Sequence, residues 1–371
     1  MTLKHRNGMM RFNGNSGASS RPVLICGGAG FIGTNLAARL AAAGTRLILF
    51  DNLSRSGVEQ NLAWLQRQFH GDVEFVRGDV RDAEALEDCV QRAAAVYHFA
   101  AQVAVTTSLL DPLEDFEVNV KGTLNLLEAV RSAPVPPPLF FTSTNKVYGE
   151  LGGLRLRSSG IRYEPADNYT RAHGVDEGAQ LSFHSPYGCS KGAADQYVLD
   201  YAASFGIPAV VFRMSCIYGP HQFGTEDQGW VAHFLISAFN DQPITLYGDG
   251  MQVRDVLFVE DLVDALILAR HCISDTSGQA FNIGGGPDKT TSLLELIRLI
   301  GEMNGREPDA RFQDWRVGDQ RYYVSDIRKF QTLTGWQPEV GVHEGVTRLH
   351  EWLLSAEGAV PAMTALHGGA V

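Results

Sequence analysis

The sequence predicts an α/β fold, in which a doubly wound parallel sheet is followed by a smaller C-terminal α/β lobe. Between residues 22 and 141, short apolar runs alternate with helix-length segments, an order typical of parallel strands connected by helices. A glycine-rich turn joins the first apolar run to the first helical segment. Beyond residue 214 the runs become shorter and mixed, with glycine and proline between them, which indicates a second, smaller unit.

The predicted strands of the sheet are nearly continuous in apolar residues, as expected of parallel strands that are covered on both faces. They comprise residues 23–26, 46–50, 73–76, 95–99, 139–141 and 209–214. Helical spacing is found at residues 34–43 and 187–204. Residues 149–180 are rich in glycine and arginine and lack periodicity, so we expect a long loop over the functional site there.

These elements divide the chain into four predicted segments. Residues 1–20 are predicted to be a disordered extension, and residues 358–371 a frayed tail. Residues 21–185 form the predicted sheet domain, with an insert at 149–180. Residues 186–357 supply a helix and the second lobe, which we expect to be partly interleaved with the first domain.

Composition and charge argue against several classes of protein. The 371 residues are 44% hydrophobic and 20% charged, which is ordinary for a globular protein. No run approaches the roughly 20 apolar residues of a membrane helix, so we expect a cytoplasmic protein without a membrane partner. The net charge of −11 argues against nucleic-acid binding. The five scattered cysteines, without CxxC or Cys/His pairs, argue against disulfides and a metal site.

The glycine-rich turn has the pattern of a phosphate cradle. The string GGAGFIG occupies residues 27–33, between the first predicted strand and the first predicted helix. Glycines permit a tight turn and close approach to a pyrophosphate, and the free N–H groups at a helix start favour negative charge. The pattern predicts a Rossmann domain whose candidate cofactor-binding residues are Gly27, Gly30, Phe31, Ile32 and Gly33.

Asp51 ends the second predicted strand, about twenty residues after the cradle, where it would accept hydrogen bonds from a ribose. Its charge would repel a 2′-phosphate, so we expect NAD rather than NADP, although Arg55 could weaken that preference. The alternative is a structural turn in which Asp51 caps the next helix. Further candidates follow the third and fourth strands, where such folds contact the adenine and the inner ribose: Asp79, Val80, Ala100 and Gln102.

Tyr187 and Lys191 open the helix predicted at residues 187–204. They are four residues apart, so both side chains face the same way. A phenol with a pKa of about 10 is a poor base, and a lysine ammonium together with a positive nicotinamide would stabilise its phenolate. Tyr187 would then act as acid and base for a sugar hydroxyl. The alternative is a solvated helix face.

Thr144 follows the strand predicted at residues 139–141, in a stretch of hydroxyl residues. We expect it to lie at the edge of the cofactor site, because parallel strands end there. Its hydroxyl could hydrogen-bond the reacting oxygen and hold it against Tyr187. A plain threonine at a strand end is the alternative.

Together these motifs resemble the extended short-chain dehydrogenase/reductases that act on sugar nucleotides. The resemblance covers about residues 22–352 and rests on GGAGFIG, DNLS at 51–54, STNKVYG at 143–149 and YGCSK at 187–191. Within that family, STNKVYG, HSPYGCSKGAADQYVLDYA, YGPHQFGTEDQGWV and QVRDVL are similar to the CDP-paratose (CDP-tyvelose) 2-epimerase subfamily. The related 4,6-dehydratases carry an Asp-Glu pair directly after the threonine. Asn145 and Lys146 stand there in this chain, so dehydration is not expected.

The resemblance implies NAD, a nucleotide-sugar substrate and a homo-oligomer. It implies that Thr144, Tyr187 and Lys191 are the catalytic hydroxyl, base and lysine. Arg254 matches the arginine that meets the diphosphate, and Arg316 resembles a second contact, although either could instead form a surface ion pair. The implied sites also include Asn52, Ser54, Asn119, Tyr187 and Lys191 for the cofactor, and Thr144 and Asn145 for the substrate.

The implied reaction is epimerisation at C2 of the sugar through a transient 2-keto intermediate. An alternative with the same residues is a UDP- or dTDP-hexose 4-epimerase, because the sequence does not show which carbon faces the nicotinamide. A net sugar-nucleotide dehydrogenase, which would release NADH, is a further alternative. A catalytically silent NAD-binding regulator is disfavoured, because both Tyr187 and Lys191 are present.

Overall fold

The computed structural model describes residues 21–316 and 318–355, so the predicted extension at 1–20 and the predicted tail at 358–371 lie outside the described residues. The strands there are β1 (Val23–Cys26), β2 (Leu47–Asp51), β3 (Val73–Arg77), β4 (Ala95–His98), β5 (Leu139–Thr144), β6 (Leu156–Ser158), β7 (Tyr163–Pro165), β8 (Ala209–Met214), β9 (Cys216–Tyr218), β10 (Ile244–Tyr247), β11 (Val253–Phe258), β12 (Gln279–Ile283), β13 (Thr290–Ser292), β14 (Ala310–Gln313) and β15 (Tyr322–Tyr323). The helices are α1 (Phe31–Ala42), α2 (Val58–Gln68), α3 (Ala83–Arg92), α4 (Val105–Leu110), α5 (Pro112–Phe116), α6 (Gly122–Ser132), α7 (Asn168–His173), α8 (Ser185–Phe205), α9 (Trp230–Phe239), α10 (Val259–His271), α11 (Ile273–Thr276), α12 (Leu293–Asn304), α13 (Arg328–Thr334) and α14 (Val342–Leu354), with a π turn at Glu117–Lys121 and a 3-10 turn at Asn145–Tyr148.

Seven strands form one parallel sheet in the order β12-β8-β5-β4-β1-β2-β3, which confirms the predicted doubly wound fold. Apolar faces of helices cover both faces of this sheet. Leu36 of α1 and Leu266 of α10 belong to one buried cluster, and Leu126 of α6 and Val198 of α8 belong to the other. The strand order reverses between β1 and β4, so the loops that follow these strands diverge and leave a crevice at the carboxyl edge.

β5 is longer than the sequence predicts, because it continues to Thr144. Its last three residues stay in register with β8, where Thr144 pairs with Met214. Hydroxyl side chains are compatible with a buried strand when they find partners, and the Thr142 hydroxyl donates to the carbonyl oxygen of His98 at 3.2 Å. Thr144 is therefore held by the sheet itself.

The second lobe contains a four-stranded sheet of β9, β11, β13 and β15, and the strand pair β10-β14. Helices α9, α12 and α14 cover it with a third apolar cluster that includes Leu235, Leu296 and Leu349. Strands β8 and β12, which flank the first part of this lobe in the chain, belong to the central sheet. Among the described residues, no helix combines the length and the apolar character needed to cross a membrane.

Residues 149–180 are not the long loop that the sequence predicts. They form the antiparallel hairpin β6-β7 and the short helix α7, whose N-cap Asp167 accepts a hydrogen bond from the Thr170 N–H. The segment packs against β11 and β15, with Leu156 on the apolar cluster of Val253 and Tyr322. Strands of three residues are too short to show a periodicity, which is why the sequence did not reveal them.

Candidate active site

The glycines of the cradle are required by close backbone contacts. Gly27 has a φ of +79°, and a Cβ atom there would lie 2.6 Å from the backbone N of Ala100. A Cβ atom at Gly33 would lie 2.2 Å from the carbonyl oxygen of Gly27. Helix α1 begins at Phe31, directly after this turn. The first turn of α1 therefore packs against the end of β1 and directs its free N–H groups at the crevice.

Asp51, at the end of β2, stabilises the backbone of the cradle. Its Oδ2 atom accepts a hydrogen bond from the Ala29 N–H at 3.0 Å, and its Oδ1 atom accepts one from the Leu53 N–H at 2.9 Å. Burial raises the pKa of Asp51, and these backbone hydrogen bonds oppose the rise. Asp51 does not cap the next helix, because the N-cap of α2 is Gly57. Asp51 also lines the cavity at the carboxyl edge of the sheet.

A cavity of about 520 Å³ opens at the carboxyl edge of the sheet, in front of the cradle. Pockets of about 300–1,000 Å³ are typical of cofactor sites. The predicted cofactor-binding residues that line it are Gly27, Gly30, Phe31, Ile32, Gly33, Asp51, Asn52, Ser54, Asp79, Val80, Ala100, Gln102, Tyr187 and Lys191. Arg55 lines it as well. A narrow glycine cradle next to a carboxylate and an open cavity fits the diphosphate and ribose of NAD.

Asn119 is the predicted cofactor residue that the structure places away from the cavity surface. It is 1% exposed, and its Oδ1 atom accepts a hydrogen bond from the Gln102 N–H at 2.9 Å. Its Nδ2 atom donates to the carbonyl oxygen of Gln102 and to the Ser190 hydroxyl. Asn119 therefore joins the loop after β4 to helix α8.

Residues of the second lobe close one side of the cavity, a feature that the sequence did not predict. Asn61 of α2 donates to the carbonyl oxygens of Ala29 at 3.1 Å and His221 at 3.2 Å. The Phe223 ring packs on Gly57, where a Cβ atom would lie 2.6 Å from it. The only local signal was a polar residue, Asn61, on the buried face of an amphipathic helix.

The structure brings Thr144, Tyr187 and Lys191 together beside this cavity. Tyr187 lies in the first turn of α8, where its N–H donates to the Ser108 hydroxyl at 3.1 Å, and its own hydroxyl is hydrogen-bonded with Thr144. Lys191 lies one turn later, with its Nζ atom 4.3 Å from the centre of the Phe141 ring. A strand end and a helix start thus present a hydroxyl, a phenol and an ammonium to one place.

Burial raises the pKa of Tyr187 to about 12. The hydrogen bond with Thr144 and the nearby Arg55 oppose the rise, whereas the charge of Asp115 adds to it. The groups of the chain alone therefore favour the protonated phenol. That a lysine ammonium together with a positive nicotinamide stabilises the phenolate stays a prediction.

Lys191 is itself buried among carboxylates. Burial lowers the pKa of Lys191 to about 7, and Asp195 and Asp115 oppose that change. The Arg213 guanidinium donates two hydrogen bonds of 2.9 Å to the Asp195 carboxylate. Asp115 is 1% exposed and accepts a hydrogen bond from Asn119 at 3.2 Å. The sequence did not single out Asp115, because its closeness to Tyr187 and Lys191 depends on the packing of α5 against α8.

Of the predicted substrate residues, Arg254 and Arg316 belong to the second lobe, whereas Asn145 directly follows β5. Arg254 is 7% exposed and pairs with Asp319 at 2.8 Å, so it is not a surface ion-pair former. Arg316 does make ion pairs, with Asp227 at 3.2 Å and Glu226 at 3.4 Å, and its guanidinium lies 3.8 Å above the Tyr247 ring. Asn145 is buried next to Thr144 and accepts a long hydrogen bond of 3.4 Å from its hydroxyl.

The chain is similar to known proteins in sequence and in fold. Residues 23–284 match the model of the NAD dependent epimerase/dehydratase family. CDP-paratose 2-epimerase of Salmonella typhi is 45% identical over 342 residues, which cover 90% of this chain and 99% of that protein. UDP-glucose 4-epimerase of Mycolicibacterium smegmatis is 32% identical over 89% of this chain and 97% of that protein. The structure of Thermus thermophilus UDP-glucose 4-epimerase in complex with NAD is 33% identical, with a TM-score of 0.76 over 90% of this chain and 99% of that chain.

Proposed function

Because the chain belongs to the NAD-dependent epimerase/dehydratase family, we propose that it is an epimerase acting at C2 of a CDP-hexose, of the CDP-paratose/CDP-tyvelose type. The main support for this proposal is the 45% identity to CDP-paratose 2-epimerase, which extends along nearly the whole of both chains. The relatives that act at C4 are less similar, at 32% and 33% identity. The convergence of Thr144, Tyr187 and Lys191 at one cavity edge supports a catalytic protein.

The cofactor is NAD, in agreement with the sequence-based expectation. We propose that the cradle at residues 27–33 holds its diphosphate and that Asp51 holds its adenosine ribose. When bound, NAD supplies a group that accepts a hydride and gives it back. The residues around Asn61 and His221 cover one side of the cavity and would hinder the exchange of the cofactor between turnovers.

In the proposed mechanism, Tyr187 takes the proton of the C2 hydroxyl while the C2–H bond breaks as a hydride. Thr144 holds the oxygen that becomes the ketone, and Lys191 provides positive charge near the phenolate. After the sugar has turned over, Tyr187 returns the proton to the same oxygen as the hydride returns to the other face of C2. Arg254 holds the diphosphate meanwhile, so that the sugar alone changes its orientation. The reaction has no net oxidation or reduction.

Proton NMR on parallel incubations with CDP-paratose, CDP-glucose and UDP-glucose, without added cofactor, tests the proposed substrate class. We expect inversion at C2 of the CDP-paratose, because the enzyme is proposed to retain its NAD. Inversion at C4 of a UDP-sugar would favour the 4-epimerase alternative. Accumulation of NADH, followed by absorbance, would favour the dehydrogenase.

We further propose a homo-oligomer that forms through helices α4 and α5. Large apolar side chains are exposed there: Leu109 at 53%, Leu110 at 88%, Leu113 at 69% and Phe116 at 49%. Contiguous exposed apolar residues of this kind mark interaction surfaces. We expect Leu110→Glu combined with Leu113→Glu to lower the molar mass measured by light scattering. Val135→Glu, at a site 70% exposed outside these helices, is the control and should leave the mass unchanged. A wild-type monomer would contradict this proposal.

We also propose that the protein is located in the cytoplasm. All five cysteines are free thiols, and one of them, Cys189, is exposed. Free thiols are typical of proteins in a reducing compartment.

A further inference from the structure

The Lys146 side chain extends from the turn after β5 towards the second lobe. It lies in the 3-10 turn that follows β5, and its N–H donates to the Thr144 hydroxyl oxygen at 3.3 Å. Its Nζ atom lies 3.5 Å from Asp319 Oδ1 and 3.5 Å from the carbonyl oxygen of Gly318. Both distances are longer than an ordinary N–H···O hydrogen bond, so these contacts hold the ammonium only weakly.

Asp319 links this ammonium to Arg254. The same Oδ1 atom accepts a hydrogen bond of 2.8 Å from the Arg254 guanidinium. Two cations thus share one carboxylate, and the three side chains carry an excess of positive charge. The side chains of Lys146 and Asp319 are 25% and 24% exposed, so a ligand can reach both. An anion that arrived here would compete with Asp319 for both cations.

We propose that Lys146 is a second diphosphate-binding residue. It contacts the phosphate attached to the sugar and thereby holds C2 next to Thr144 and Tyr187. This inference rests on the proposed function, in which the reacting carbon is C2 and Arg254 meets the diphosphate. It assigns to Lys146 a contact with substrate that is separate from the proton transfer by Tyr187.

The distance along the sugar ring supports this role. In a nucleotide sugar the diphosphate is attached at C1, so C2 is the ring carbon next to the phosphate-bearing carbon. C4 lies across the ring. A substrate that places C2 at Thr144 must therefore place its sugar-linked phosphate close to Thr144 as well. The backbone N–H of Lys146 donates to the Thr144 hydroxyl oxygen, and its ammonium shares Asp319 with Arg254, so Lys146 connects the Thr144 hydroxyl to the arginine proposed for the diphosphate.

The chemistry of lysine also suits this position. Its ammonium is a compact charge on a flexible stem, so it can stay with a phosphate while the attached sugar turns over. Burial lowers the pKa of Lys146, the charge of Arg254 lowers it further, and Asp319 opposes both effects. A bound phosphate would add negative charge and favour the protonated form.

Titration calorimetry with CDP and with CMP tests the contact, because only CDP carries the phosphate that would be joined to the sugar. For Lys146→Met we expect the Kd of CDP to rise about tenfold, as for the loss of one charge-assisted hydrogen bond. The Kd of CMP should change by less than about twofold. Lys146→Arg should keep most of the preference for CDP. Lys121→Met removes an exposed lysine paired with Glu117 and is the matched control, with no expected change.

Equal weakening of CDP and CMP, or no change in either, would overturn the inference. NAD content and thermal unfolding are measured for each variant, and Lys146→Gln replaces Lys146→Met if the latter does not fold. If the wild-type enzyme inverts C2 of CDP-paratose while the CDP preference survives in Lys146→Met, only the inference is wrong. If the wild type does not bind CDP, both are wrong.

Discussion

Tyr187→Phe should lower kcat by about 10²- to 10⁴-fold, the range found when a positioned acid/base group is lost. The substitution removes the oxygen that takes and returns the proton of the C2 hydroxyl, and it keeps the ring that fills the cavity edge. NAD content and CDP affinity should stay close to wild type, because the cradle and Arg254 are unchanged. Steady-state kinetics with CDP-paratose, cofactor release on denaturation, and CDP titration measure the three quantities.

The control for this variant is Tyr197→Phe, which removes a phenol oxygen from the same helix at a position 43% exposed. Its kcat should match the wild type. A Tyr187→Phe enzyme with more than about a tenth of the wild-type kcat would show that another group performs the proton transfer.

Gly27→Ala should abolish NAD retention and reduce activity by more than about 100-fold. The added Cβ atom would lie 2.6 Å from the Ala100 N and 2.9 Å from the Phe99 carbonyl carbon, both backbone atoms that cannot move aside cheaply. The cradle must therefore open, and the phosphate-binding N–H groups lose their arrangement. Such displacements near a reacting centre cost about 100-fold in rate. The measurement is the NAD content of the purified protein together with its rate.

Gly44→Ala is a closely matched control. Gly44 has a φ of +77°, nearly the φ of +79° at Gly27, but a Cβ atom there meets nothing within 4 Å. Both variants carry the same left-handed backbone strain, and only Gly27→Ala carries the clash. Gly44→Ala should therefore keep its NAD, with a small loss of thermal stability. Equal NAD content in the two variants would refute the assignment of the cradle.

Six of the seven strands of the central sheet could be predicted because a local apolar run marks each of them, whereas β12 was not among the predicted strands. Parallel strands covered on both faces need continuous apolar runs, as in residues 139–141 and 209–214, and the helices between them have their own period. The hairpin within residues 149–180 has no comparable mark, because its strands contain three residues each. It is stabilised by contacts with distant residues, such as the Tyr163 N–H bonded to the Met251 carbonyl oxygen.

The chemical groups of the site could also be predicted from the sequence, but their electrostatic surroundings could not. Tyr187 and Lys191 are four residues apart on one helix, so their common direction follows from helix geometry. The buried Asp115, which acts on both, comes from a different helix. Asn61 and His221 are 160 positions apart in the chain and touch in the structure. Contacts at such separations leave no pattern in a single sequence.

Incubation of the enzyme with CDP-paratose carrying deuterium at C2, followed by NMR of the product, tests whether hydride leaves C2 and returns to it. We expect the product to be inverted at C2 and to keep the deuterium there, because the hydride leaves and returns without exchange with the solvent. Inversion with loss of the deuterium to the solvent would show proton exchange through an enol. That result, or the absence of inversion at C2, would rule out the proposed epimerisation by hydride transfer at C2.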